Sequence, residues 1–275
     1  MSTFDEQKIS NALPSAYIEV HSQIHSTNDR AIELLRESSL NSPAVIIAES
    51  QTRGRGQRSR QWWSGTGSLT FTYATSISNN QTDRRKSPPS GLISLASALA
   101  VSNALKSIEP AHDFEIKWPN DVMLNEKKIA GILVESVVAD ANPYSIIGIG
   151  ANINNFSLPT LQEMDDRRKS QETTPATSLA QVSGHSNSLS NILIKILTEL
   201  EKQISIVTES PQQIVDQFNQ VLLWREHAVI VTSPSGATLN GICLGITSDG
   251  GLEIETENQI KTIHSGSVQK LVSSG

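Results

Sequence analysis

The 275-residue chain has a single cysteine, Cys243, which excludes an intramolecular disulfide framework and any multi-cysteine zinc or iron–sulfur site. A lone thiol fits a reducing, cytoplasmic setting. There is no excess of basic charge: 28 acidic against 22 basic residues give a formal net charge of −6. No global positive field draws in nucleic acid, so a general DNA or RNA binder is disfavoured. Met1-Ser2-Thr3-Phe4-Asp5-Glu6 carries no basic region followed by an apolar stretch, and no segment approaches the roughly 18 consecutive apolar residues of a membrane span. The expectation is a soluble chain without a membrane partner. Internal repeats, heptads and low-complexity tracts are absent too. His21, His112, His185, His227 and His264 show no metal-ligand spacing, and His25 reads as a surface or helix-entry residue. The charge run at residues 165–169 reads as a solvated loop.

The length admits a full core plus a second small domain. Apolar residues at Leu189, Ile192, Leu193, Ile196, Leu197, Leu200 and Ile204 recur in steps of three and four and define one helical stripe. A second helix is expected over residues 91–108, between Pro88-Pro89 and Pro110. A third should follow Ser26-Thr27-Asn28-Asp29, whose side chains can cap free N–H groups. Strand-like runs fall at residues 45–48, 68–73, 115–118, 129–138 and 145–149, several of them consecutive. That order favours α+β with a mixed or mainly antiparallel sheet. Residues 76–90 and 157–178 read as polar loops. After Trp224 the texture turns to short β pieces separated by Pro234-Ser235-Gly236, Asp249-Gly250-Gly251 and Glu257-Asn258, which suggests a small barrel. The expected boundaries are 1–223 and 224–275.

Three strings carry chemistry. Arg53-Gly54-Arg55-Gly56-Gln57-Arg58-Ser59-Arg60-Gln61-Trp62-Trp63 packs four arginines, two glycines and two tryptophans into eleven residues. Glycines let backbone N–H groups approach an anion, guanidinium forks pair with phosphate, and an indole face holds a flat base. Read alone, the run serves equally as a solvated basic loop or an RNA-binding tract. Lys117-Trp118-Pro119-Asn120-Asp121 displays Lys, Asn and Asp at a turn, and a hairpin returns toward it with Lys128 leading into a strand. Taken alone, these polar residues fit ordinary turn and solvation roles. Gly148-Ile149-Gly150-Ala151-Asn152-Ile153-Asn154 could let a ligand approach the backbone, but it reads most simply as a strand end with a bulge; it lacks the spacing and following helix of a dinucleotide fingerprint.

Together with Ser26-Thr27-Asn28 and Gln51, these strings in this order resemble the biotin protein ligases, from about His25 to the C-terminal barrel. The resemblance implies a catalytic α+β domain of class II synthetase-like type, with mixed sheet and flanking helices, plus a small C-terminal SH3-like β-barrel. It also implies a reaction. Biotin and ATP form biotinyl-5′-AMP and pyrophosphate, and a lysine of a biotin carboxyl carrier protein of acetyl-CoA carboxylase then attacks the mixed anhydride. By resemblance Ser26, Thr27, Asn28 and Gln51 surround the biotin rings, and Gly54, Arg55, Gly56, Gln57 and Gly131 belong to the biotin site. Lys128 lies against the biotin carboxylate and α-phosphate; it and Arg55 are the catalytic candidates. Trp62 covers adenine, with Arg58, Arg60, Lys117, Asn120, Asp121 and Asn152 around the nucleotide. Trp63 is expected to pack. Mg²⁺ is expected to arrive with ATP, near Asp121, with no dedicated protein cage.

The family's loop often reads Gly-Arg-Gly-Arg, the second arginine helping retain the adenylate. Here Gln57 stands at that position, and Ser59 replaces a frequent glycine. Only about 25 residues precede Ser26, fewer than a three-helix DNA-reading unit uses, so the expectation is a ligase without repressor activity. A homodimer is compatible with the family. The rival readings are a lipoate–protein ligase, which shares the acyl-adenylate logic, and a noncatalytic RNA-binding or regulatory module. A cysteine-nucleophile acyltransferase is disfavoured, because Cys243 sits in the C-terminal β region and reads as a core residue.

Overall fold

A computed structural model describes residues 3–37, 42–57, 60–76, 88–139, 142–158 and 174–271. Arg58, Ser59, the 165–169 charge run and most of the two long polar loops lie outside the described residues. A seven-stranded sheet is built from β1 (Tyr17–His21), β2 (Ala44–Ala48), β3 (Ser68–Ser76), β4 (Phe114–Lys117), β5 (Asp121–Leu124), β6 (Lys127–Ala139) and β7 (Asn142–Asn152). Its order is β1-β2-β3-β7-β6-β5-β4. Only β1 and β2 run parallel; every other neighbouring pair is antiparallel. The mixed sheet expected from the sequence is therefore present, with β1 as an edge strand that the sequence reading did not single out.

The back of this sheet packs on α3 (Ser90–Ile108), which is covered in turn by α5 (Leu189–Glu209) and α6 (Pro211–Val221). Leu92, Leu95, Leu99 and Leu105 of α3 are 0–3 % exposed, and each such buried side chain contributes about 1.5–3 kcal/mol of transfer free energy. By length and mean hydropathy α3 is a helix that could cross a membrane, yet most of it is buried in this core. The predicted stripe on α5 is buried from Leu189 to Leu200. Pro211 sets the first turn of α6, where its missing N–H has no intrahelical partner to lose. Two further helices, α1 (Glu6–Ala12) and α4 (Leu179–Ser183), are short. Asp5 caps α1, and Ser178 caps α4 with Gln181 in a capping box.

The front of the sheet is divided. α2 (Thr27–Arg36) covers one half, burying Ala31, Leu34 and Leu35 against Ala44, Ile46, Ala74 and Ile146. Its N-terminus points across the uncovered half. Ser26 caps it, its Oγ accepting from the Asp29 amide at 3.3 Å.

Residues after α6 form a second, five-stranded antiparallel sheet in the order β11-β10-β9-β8-β12, from β8 (Ala228–Thr232), β9 (Thr238–Ile246), β10 (Leu252–Glu255), β11 (Ile260–Ile263) and β12 (Ser267–Lys270). Cys243 is 1 % exposed in β9, and burial pushes its thiol pKa up to about 11; it is a core residue. The two sheets are joined by side chains. Trp118 Nε1 donates to the Gly250 carbonyl at 3.0 Å, and the Lys117 ammonium lies 5.6 Å from the Trp224 ring centroid.

Candidate functional site

Register explains why a cleft opens on the front of the seven-stranded sheet. Directly opposed residues share a face, so Lys117, Asp121, Gly131, Gly150, Thr70 and Ala48 form one row and Leu133, Gly148, Thr72 and Ile46 the next. The middle of this face holds only glycines and threonines. The cleft lies directly above this strip, with Gly131, Gly148, Gly150 and Thr70 in its lining.

The glycine pair of β7 has a different role from the predicted bulge. β7 pairs in unbroken register with both β3 and β6. A Cβ at Gly148 would overlap the Asn28 side chain, and one at Gly150 would overlap the Trp62 indole. These glycines seat two side chains on the strand.

The real irregularity lies between β5 and β6, where the register shifts between Val122 and Met123. Lys128 is three residues before Gly131, an odd separation that in a regular strand points the two side chains to opposite faces. One extra residue in β6 cancels that alternation. Lys128 consequently reaches the front, its Nζ 2.8 Å from Asp121 Oδ1 and 5.6 Å from the Trp62 ring centroid. The hairpin before it turns through Asn125 and Glu126, both at positive φ (51° and 57°), the pattern of a two-residue primed turn. Its main chain is held by residues 175–177: Lys128 N donates to the Pro175 carbonyl and Thr177 N to the Lys128 carbonyl.

At the α2 end the predicted polar set converges. Gln51 Oε1 accepts from Thr27 N at 2.7 Å and from Thr27 Oγ1 at 3.2 Å. Asn28 Nδ2 donates to Glu135 Oε2 at 2.7 Å, while its oxygen accepts from the Thr72 hydroxyl at 2.6 Å. Ser26, Thr27, Asn28 and Gln51 all line the cleft.

The arginine–glycine segment folds back on itself. Trp62 N donates to the Gly54 carbonyl and Gly56 N to the Arg60 carbonyl, with Arg55 bridged to Gln61. Arg55, Gly56, Gln57, Arg60 and Trp62 line the cleft. Arg55 forks onto Glu135 at 3.0 and 3.1 Å and reaches Asp29 Oδ1 at 2.6 Å. Burial opposes its charge, but these two carboxylates hold its pKa above the ordinary arginine value.

Lys117, Asn120, Asp121 and Gly131 also line the cleft. Lys117 is buried, and its ammonium donates to Thr174 Oγ1 at 2.8 Å. Asn120 Nδ2 donates to the Ile132 carbonyl at 2.6 Å. Two predicted residues fall outside the lining. Gly54 lies against the Trp62 main chain, where an added Cβ would press on the Trp62 carbonyl. Asn152 is 5 % exposed and turns its amide to the Thr177 carbonyl at 3.2 Å. Trp63, expected to pack, is 38 % exposed, and His25 is an exposed residue paired with Thr52 Oγ1 at 2.7 Å.

Of the other lining residues, Thr70 and Leu133 escaped sequence reasoning, whereas Gly148 and Gly150 were read as a bulge. Thr70, Leu133, Gly148 and Gly150 share the front face, and Gly266 and Ser267, at the start of β12, also line the cleft. Glu135 and Thr72, which brace Arg55 and Asn28, were missed as well. Their signal is an alternation of small and polar residues, readable only once strands are paired. No group of three or more His, Cys, Asp or Glu that could hold a metal ion occurs among the described residues.

With this geometry in place, comparison with known proteins is informative. Residues 20–154 match the biotin/lipoate A/B protein ligase family, and residues 227–271 match the biotin protein ligase C-terminal domain. The bifunctional ligase/repressor BirA of Bacillus spizizenii is 34 % identical over 257 residues, covering 90 % of this chain and 71 % of the relative. A biotin–[acetyl-CoA-carboxylase] ligase of Mycobacterium tuberculosis is 27 % identical, covering 92 % of this chain and 89 % of the relative. Among solved structures, the Aquifex aeolicus biotin protein ligase in complex with biotin and ATP superposes with a TM-score of 0.75 at 26 % identity, over 93 % of this chain and 99 % of that one. Two matched segments in the same order, one relative above 30 % identity over most of its length, and a shared fold place the sequence: the chain belongs to the biotin/lipoate A/B protein ligase family.

Proposed function

We propose that this protein is an ATP-dependent biotin protein ligase that forms biotinyl-5′-AMP and pyrophosphate and then transfers biotin to a carrier lysine. The observation that carries the reading is the convergence of Lys128, the Arg55–Gln57 loop and the Ser26–Asn28 cap on one cleft. A carboxylate and a triphosphate repel each other, so bringing biotin's carboxyl oxygen in line with the α-phosphorus requires cations and tight positioning. Lys128 supplies positive charge at that junction. Asp121 holds its ammonium in place at 2.8 Å. In the transfer step the same ammonium stabilises charge on the phosphate as AMP departs from the acyl carbon.

In this proposal Ser26, Thr27, Asn28 and Gln51 bound the biotin rings, and Arg55, pinned to Glu135 and Asp29, orders the loop over the acid. Arg60, Trp62, Lys117 and Asn120 border the nucleotide. A magnesium ion carried by ATP fits the donor set: Asp121 is a carboxylate lining the cleft, and Mg²⁺ commonly binds one or two carboxylates plus phosphate while keeping several waters. Asp121 would hold it there, where it would neutralise phosphate charge.

The acceptor is a biotin carboxyl carrier domain of acetyl-CoA carboxylase, the complex named in the Mycobacterium relative. The C-terminal match to a biotin ligase domain favours biotin over lipoate. The test is ATP-dependent labelling of a carrier domain with biotin, run beside lipoate. Labelling with biotin alone is expected; labelling only with lipoate, or with neither acid, would overturn the proposal.

A further inference from the structure

Thr70 is 3 % exposed, and its hydroxyl has no hydrogen-bond partner among the described residues. It stands on β3 directly opposite Gly150 of β7 and lines the cleft. A second buried polar group without a partner there, the Nε1–H of Trp62, packs against the same Gly150. Cβ positions of directly opposed antiparallel residues lie about 4.5–5.5 Å apart. The hydroxyl and the indole N–H therefore gather around one spot on the floor, yet they do not bond to each other.

The neighbouring polar residues differ. Thr27, Gln51, Asn28 and Thr72 are bonded among themselves and to Glu135. Thr70 alone among these front-face side chains keeps a buried hydroxyl unused. Burying a hydroxyl unpaired opposes folding, and valine would fill the same space without that cost. A threonine here makes physical sense when an atom outside the chain completes its bond.

We infer that Thr70 is a specificity-determining residue: its hydroxyl engages an acceptor atom on the ring system of the acid bound in the cleft. The inference rests on the biotin reading above. Biotin's bicycle offers two kinds of acceptor, the ureido oxygen and the thioether sulfur. The dithiolane of lipoate offers only weakly accepting sulfurs, so a bond to the ureido oxygen would also discriminate between the two acids.

The experiment is titration calorimetry of biotin into wild type, Thr70→Val and Thr70→Ser, with the Tm of each protein measured without biotin. Thr70→Val should bind biotin about 3- to 10-fold more weakly, Thr70→Ser should bind like wild type, and the KM for ATP should not move. The Tm of Thr70→Val should be unchanged or higher, an outcome that a merely structural hydroxyl would not produce. Dethiobiotin, which keeps the ureido group and lacks the sulfur, separates the two acceptors. The penalty persists with it if the ureido oxygen is the partner and vanishes if the sulfur is. Biotin affinity of Thr70→Val equal to wild type, or a loss shared by Thr70→Ser and matched by a lower Tm, would overturn the inference. Failure of wild type to bind biotin at all would instead overturn the functional reading on which it rests.

Discussion

Lys128 and Asp121 form a 2.8 Å ion pair on the front of the sheet, with the two side chains 16 % and 15 % exposed. The pair exists because an extra residue in β6 reverses the side-chain alternation between Lys128 and Gly131. Lys128→Ala should lower both adenylate formation and transfer by about 10²–10³-fold, the scale of removing one preorganised charge from a transition state. Circular dichroism should show the fold retained. Single-turnover pyrophosphate release and transfer from preformed biotinyl-AMP check the two steps separately, and wild-type rates in both would remove Lys128 from its catalytic assignment.

Gln57 lines the cleft, at the position for which the family resemblance implies an arginine. A neutral amide supplies no charge to hold an anionic adenylate, so Gln57→Arg should slow escape of biotinyl-AMP, by about 10-fold for each 1.4 kcal/mol gained. The readout is the half-life of enzyme-bound biotinyl-AMP after removal of free ligands. Equal half-lives would show that charge at residue 57 does not govern retention.

Gly150 is needed for its missing side chain. A methyl there would collide with the Trp62 indole, so Gly150→Ala should lift Trp62 off the floor and red-shift its emission. Overpacking of this kind costs about 1–3 kcal/mol of stability, and ligation should fall by an order of magnitude or more. Unchanged fluorescence would mean that the strand yields instead.

Glu19 should make part of the stability acid-sensitive. Hydrogen bonds from Arg30 at 2.8 and 3.0 Å, helped by His21 and Tyr17, hold its pKa at about 2 against an ordinary 4.5. A depressed carboxylate stabilises the folded state above about pH 4.5 and loses that contribution as pH falls toward 2. Allowing for solvent screening, the contribution is about 1 kcal/mol. Urea titrations of wild type and Glu19→Gln should differ at pH 7, with the gap shrinking below about pH 4.5 and closing only below about pH 2; a gap that stays constant with pH would refute the linkage.

Long periodic elements were legible in the sequence. The stripe from Leu189 to Ile204 and the apolar run of α3 stood out because burial on one or all sides of a helix leaves a strong repeat. β1 did not, since its five residues are all half-buried and Glu19 and His21 interrupt the apolar pattern. Glutamine-rich α6 was missed for a similar reason, with Ile214, Val215 and Phe218 as its buried residues. Ser26, Gln51, Arg55 and Lys128, named through the family resemblance, all line the cleft. Thr70 and Glu135 were not, because what makes them matter is pairing between distant strands. Gly148 and Gly150 were noticed but misread as a bulge, since a sequence does not reveal which side chain a glycine accommodates. Asn152, named for the nucleotide, turned out to be tied to the Thr177 carbonyl.

The cleft's floor comes from residues 70–150, whereas part of its rim is Gly266 and Ser267. During synthesis the two arrive at different times. At about 5–20 residues added per second, the floor emerges from the ribosome several seconds before the segment that completes the mouth, and the Trp118–Gly250 bond cannot form until the second sheet begins to assemble. A growing chain therefore passes through an interval in which the residues of the floor have emerged and those of the rim have not.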